Sequence, residues 1–107
     1  MQRIMNDQDM ETIFSADLAL LYKHSPTCSI CVAALDEVET YLQTHPGVTA
    51  YLVDVLAERP LSQQIAARSG VEHESPQVII FRRGTPIWNA SHQDITAAAL
   101  ARNLPAA

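Results

Sequence analysis

Cys28 and Cys31, separated by Ser29 and Ile30, are the two cysteines of this 107-residue chain. On an ideal helix, side chains three positions apart have Cβ atoms about 5–6 Å apart. A disulfide needs about 3.5–4.5 Å, so a small local adjustment closes the bond. The spacing therefore permits a reversible dithiol–disulfide cycle, in which Cys28 attacks and Cys31 resolves the mixed disulfide. A disulfide scaffold joins distant segments through several bridges, which one pair within a helical turn cannot do. The bland alternative is two buried cysteines packed as small hydrophobes. Zinc would need two more ligands; His45 follows, but no second histidine lies within the finger spacing. His24, His73 and His92 fall in other elements, and no metal site is expected.

The elements must place this pair where a thiol can become a thiolate. Asp7 to Phe14 reads as a first helix, with Met10, Ile13 and Phe14 at helical spacing. Leu18 to Lys23 is a continuous apolar run of strand length, expected to be buried on both faces. Pro26 forbids helix at Ser25, and Thr27 is the expected N-cap of the helix from Cys28 to about Thr44. Ile30, Ala34, Val38 and Leu42 form its apolar face, and His45-Pro46-Gly47 ends it. Val48 to Val55 reads as a strand, and Arg59-Pro60-Leu61-Ser62 opens a helix running to Ser69-Gly70. Gln77–Phe81 and Pro86–Ala90 read as a hairpin across Arg83-Gly84-Thr85, with Ser91 expected to cap a last helix to about Asn103.

Strand-helix-strand implies a parallel pair with a right-handed crossover, and the hairpin adds antiparallel strands. The expected fold is α/β, a single thioredoxin-like three-layer sandwich over residues 1–107 with a central mixed sheet of about four strands. Cys28 then falls at a strand-to-helix junction. There the unsatisfied N–H groups and the positive end of the helix dipole favour the thiolate.

Ser75-Pro76 precedes a buried strand and faces the Cys28 helix. The residues leave open a cis bond in a tight loop, whose Ser75 backbone could pair with substrate, or an ordinary trans proline. His24 is a candidate modulator of the Cys28 thiol or simply a histidine closing a strand end. Lys23 is expected to be solvated, His73 and His92 to serve local hydrogen bonds, and Trp88 to pack on an edge strand.

Seven Lys plus Arg against 12 Asp plus Glu give a charge of -5, without the cation clusters a nucleic-acid surface needs. The longest apolar run, Leu18 to Tyr22, falls far short of the ~20 residues that span a bilayer. The N-terminus turns polar before a signal-peptide core develops. The expected setting is cytoplasmic, with neither nucleic acid nor membrane as partner, and a monomer is expected.

Lys23-His24-Ser25, Thr27-Cys28, Val53-Asp54-Val55, Arg59-Pro60-Leu61-Ser62, Val71 to Gln77 and Ala90-Ser91-His92 resemble the monothiol bacilliredoxins, small bacterial thioredoxin-fold proteins. The resemblance spans roughly Thr12 to Ala98, and His-x-Ser-Pro-Gln and Arg-Pro-Leu-Ser are its most specific segments. It implies reduction of mixed disulfides between cytosolic proteins and the thiol bacillithiol, an attacking thiol at Cys28 and a cis-proline at Pro76. The usual family motif reads Cys-Pro-Ile-Ser, whereas this chain has Cys28-Ser29-Ile30-Cys31. A serine cannot resolve a mixed disulfide, so Cys31 opens a dithiol route.

The expected function is thiol–disulfide exchange with Cys28 as nucleophile, Cys31 as resolving thiol and Ser75-Pro76 as the substrate-docking loop. No metal or organic cofactor is required. The partners are S-thiolated or disulfide-bonded proteins, with a low-molecular-weight thiol such as bacillithiol or glutathione, or a reductase, as electron donor. A general protein-disulfide reductase and a non-catalytic redox-sensing or binding module are the alternatives.

Overall fold

The computed structural model describes residues 1–105. The elements are β1 (Gln2–Arg3), α1 (Asp7–Ser15), β2 (Leu18–His24), α2 (Ser29–Thr44), β3 (Ala50–Asp54), α3 (Arg59–Ser69), β4 (Gln77–Arg82), β5 (Thr85–Ser91), a 3-10 turn (His92–Asp94) and α4 (Ala97–Asn103). They build one five-stranded sheet in the order β1-β3-β2-β4-β5. β1 and β2 run parallel to β3, while β4 is antiparallel to β2 and to β5. The mixed α/β sandwich matches the expectation, with one more strand than the sequence suggested. β1 is two exposed residues long, too short to show an alternation, and the pairing of Gln2 and Arg3 with Tyr51 and Leu52 defines it.

β2 lies at the centre of the sheet, so its side chains alternate between two cores. Ala19 and Leu21 join Tyr51, Val53, Ile79 and Phe81 against α1 and α3. Leu20 and Tyr22 join Val78 and Ile80 against α2 and α4. This double burial is why Leu18–Tyr22 reads as an unbroken apolar run. The β4–β5 hairpin turns at Arg83 (φ 50°) and Gly84 (φ 80°). Two consecutive positive φ angles are the type I′ geometry that matches strand twist. A Cβ on Gly84 would lie 2.7 Å from the Phe14 carbonyl oxygen, so the turn requires glycine twice over.

Three expected details are corrected. The buried stripe of α2 is Cys31, Ala34, Val38 and Tyr41; Ile30 and Leu42 flank it, and Ile30 is 40% exposed. Helical periodicity gave the stripe's direction but not its centre, which the sheet beneath sets. Ser91 ends β5 rather than capping the last helix; Thr96 does that, its Oγ1 accepting from Ala99 N–H at 3.0 Å. Across the helix pair, Glu37 Oε1 of α2 accepts from Ala97 N–H at 2.9 Å, supplying a second acceptor to the same helix end. Lys23 is fully buried rather than solvated. It follows Tyr22 along β2 and therefore points toward the α1/α3 face.

Candidate active site

β2 ends at His24, and Ser25 to Thr27 lead into α2. The N-cap is Cys28 itself rather than Thr27. The Thr27 hydroxyl instead lies 3.3 Å from the Ser25 hydroxyl. Cys28 sulfur thus takes the place a capping oxygen normally fills. It closes no tight cap hydrogen bond. The N–H groups of Cys31 and Ile30 and the thiol of Cys31 nevertheless hold the Cys28 pKa below its ordinary value, against a smaller opposing effect of burial. Cys31, one turn along, is fully buried, and burial pushes its pKa up. The two sulfurs are unlinked, and the pair is electrostatically unequal: one partly exposed thiol favours the anion, and one buried thiol keeps its proton.

The Ser75-Pro76 bond is cis, the alternative that the residues alone left open. Ser75 Oγ lies 3.7 Å from Cys31 Sγ, so the loop before β4 meets the first turn of α2 at the buried thiol. Pro76 carbonyl accepts from His92 N–H at 3.0 Å, which ties the loop to the end of β5. Among the described residues, Ser75 N–H and C=O take no backbone partner, leaving both free for an added strand. Ile30, Val32 and Leu56 present exposed apolar side chains on α2 and on the loop after β3.

Below the thiols, Tyr22 donates from its buried hydroxyl to the Cys31 carbonyl at 2.7 Å. This bond fixes the first turn of α2 to the central strand. Burial first, and then the two cysteines, raise the Tyr22 pKa, so its hydroxyl remains a donor. His24 Nδ1 lies 3.4 Å from the Tyr22 hydroxyl, and burial lowers its pKa in spite of the Asp54 carboxylate. Asp54 accepts from Leu56 and Ala57 N–H at 2.9 and 3.0 Å and faces Arg3 at 3.4 Å. The N–H of Ala57 is the largest influence holding its carboxyl below the usual range.

Cys28, Cys31, Ser75, Pro76 and His24 therefore gather at the carboxyl end of β2. Sequence reading missed Tyr22 and Asp54. Tyr22 lies inside an apolar run and carries no polar signal; only register shows that it stands under α2. Asp54 was legible as a strand-end acid, not as a neighbour of His24. His92 stands 3.5 Å from Glu74, and His45 stacks on Tyr41 at the far end of α2, away from the thiols. Trp88 packs partly buried against the α2/α4 core.

A two-thiol site at a helix N-terminus beside a cis-proline loop is an arrangement for disulfide exchange, and the comparisons agree. The family model described as monothiol bacilliredoxin BrxC matches residues 2–100. A curated relative named "Disulfide bond formation protein" from Brevibacillus choshinensis is 30% identical over 86 residues, 80% of this chain and 70% of that one. A solved structure described as having a thioredoxin fold superposes with a TM-score of 0.89 at 32% identity, covering 95% of this chain and 91% of that chain. Thioredoxin from Malassezia sympodialis superposes at 0.78 with 20% identity, over 95% and 89% of the two chains, which shows the shared fold. Two cysteines three positions apart stand at this helix start, and the chain is a thiol–disulfide oxidoreductase with a thioredoxin fold that belongs to the monothiol bacilliredoxin family.

Proposed function

We propose that this oxidoreductase reduces mixed disulfides between proteins and a low-molecular-weight thiol such as bacillithiol or glutathione. Cys28 thiolate attacks the sulfur of the small thiol, and the protein leaves as its own thiolate, which takes a proton. Cys31 then loses its proton and attacks Cys28 sulfur. The small thiol is released, and a Cys28–Cys31 disulfide remains. Two electrons from an external thiol or reductase regenerate both thiols, without metal or organic cofactor. The observation that carries this reading is the inequality of the two sulfurs: the partly exposed Cys28 favours its thiolate, while the buried Cys31 stays protonated beside Ser75. An attacking thiol must be accessible and ionised, and a resolving thiol must wait until the mixed disulfide has formed.

In this reading Ser75-Pro76 docks the substrate backbone and His24 acts on the site through Tyr22. The domain spans residues 1–107 and works as a monomer in the cytoplasm. The test is Cys31→Ser incubated with an S-thiolated protein and analysed by intact mass. An adduct of one small thiol on Cys28, absent from wild type, is the expected result. Equal turnover of wild type and Cys31→Ser with no adduct would remove Cys31 from the cycle. The exposed Ile30, Val32 and Leu56 favour a second reading, a general protein-disulfide reductase, because an apolar rim fits a polypeptide better than a small polar thiol. Steady-state turnover of an ordinary protein disulfide at rates matching a mixed disulfide would favour it. Stoichiometric oxidation without turnover would indicate a redox sensor.

A further inference from the structure

A polar cluster built on buried Lys23, Ser62 and Gln77 and reaching the exposed His73 lies on the opposite face of the sheet from the thiols. Lys23 has no exposed surface, and its ammonium is 3.3 Å from His73 Nδ1. Ser62 of α3, also buried, places its hydroxyl 3.2 Å from the same nitrogen. An ammonium can only donate, so Nδ1 is the acceptor and the ring proton sits on Nε2. Directly across the ladder from Lys23 is Gln77, on the same face of the sheet. Its Nε2 donates to the Glu72 carbonyl at 2.9 Å, while its Oε1 is buried without a partner. Glu72 and His73 are consecutive residues of the irregular segment 71–76, which ends in Ser75-Pro76. One is tied to β4, and the other to β2 and α3.

A buried ammonium is costly and needs partners. An apolar residue at position 23 would continue the Ala19–Leu21 face with no such cost. The cluster also joins α3 and β2 to the segment before β4 through one hydrogen-bonded nitrogen. Two residues beyond His73, Ser75 meets Cys31. We propose that Lys23 and His73 are positioning residues for disulfide exchange: their contact, with Ser62, holds segment 71–76 so that Ser75 stands against Cys31 and an incoming chain. This inference rests on Ser75-Pro76 as the docking loop.

The charged groups facing the pair are Glu74 of the same segment and Arg59 of α3. The sheet neighbours are the uncharged Val53 and Gln77. Burial and the Lys23 charge lower the His73 pKa, which keeps Nδ1 an acceptor at neutral pH. Protonating His73 would remove the acceptor and set two cations 3.3 Å apart.

The experiment uses Lys23→Met, which keeps the stem and loses the charge, and His73→Ala, which removes the Nδ1 acceptor at an exposed position. Reduction of a peptide carrying a mixed disulfide with glutathione gives KM and kcat. Iodoacetamide gives the Cys28 alkylation rate, and amide hydrogen exchange reports residues 72–77. The expected result is KM raised roughly tenfold in both variants, with kcat and alkylation within about twofold, and faster exchange in 72–77. In wild type KM should rise on acidification as His73 takes a proton, and in Lys23→Met that limb should flatten. Unchanged KM with unchanged exchange would overturn the inference, as would a fall in alkylation parallel to the loss of activity. Faster exchange with unchanged KM would support positioning by Lys23 and His73 while overturning the docking reading of Ser75-Pro76.

Discussion

Tyr22 and Lys23 are consecutive residues of β2, both fully buried and both polar at the tip, yet they serve opposite sides of the sheet. Tyr22 faces α2, and its hydroxyl holds the Cys31 carbonyl. Lys23 faces α3 and meets His73 and, through it, Ser62. The two networks share no hydrogen bond among the described residues. Each nevertheless reaches the cis-proline loop, one through Cys31 and Ser75 and the other through His73. Strand alternation thus splits one loop's support into two separate anchors. The face with the thiols handles reactivity, and the face behind them handles placement.

The largest expected effect tests the reactive face. Cys28→Ser should abolish reductase activity, and retention of even about a tenth would refute its role as nucleophile, since a serine hydroxyl is not ionised at neutral pH. Next, the rate of Cys28 alkylation should rise with pH around a midpoint below the ~8.5 of a free cysteine. An unshifted midpoint would mean that the α2 terminus does not stabilise the thiolate.

The rear face should show itself in stability rather than in thiol titration. Burial lowers the Lys23 pKa from 10.5 to about 8. Between those two values the unfolded chain binds the extra proton, so wild-type stability should gain with rising pH from about 8 to 10.5 relative to Lys23→Met. Denaturant unfolding at several pH values measures the difference, and parallel curves would show that Lys23 is not desolvated in the folded chain. The smallest effect is expected from Tyr22→Phe. Loss of one buried hydrogen bond should cost about 1 kcal/mol, with the Cys31 carbonyl still available to its own helix. If instead Tyr22→Phe raised KM as Lys23→Met is expected to do, the division between the faces would collapse.

Much of this molecule is legible along the chain. The apolar run of β2, the proline break at Pro26, Gly70 closing α3 in the left-handed region and the Arg83-Gly84 turn each carry a local signal strong enough to place an element. The Cys28–Cys31 spacing at a strand-to-helix junction carries the chemistry. Other features had local signals that pointed the wrong way. Ser91 followed by Asp94 resembles a helix start, but the chain is still leaving the sheet there, and Thr96 takes the cap. No local preference marks Glu37 as an acceptor for Ala97; the approach of α4 to α2 makes it one. Lysine at a strand end reads as solvated, and only the helix and loop packed over it bury Lys23.

By itself, then, the sequence determined the order of elements, the mixed sheet and the two thiols at the head of α2, because these depend on residue spacing and backbone preference. The tertiary structure decided that Ser75 stands beside Cys31 and that Lys23 pairs with His73. Those relations join residues 44 and 50 positions apart. Register, twist and layer packing set such distances, and no local preference encodes them.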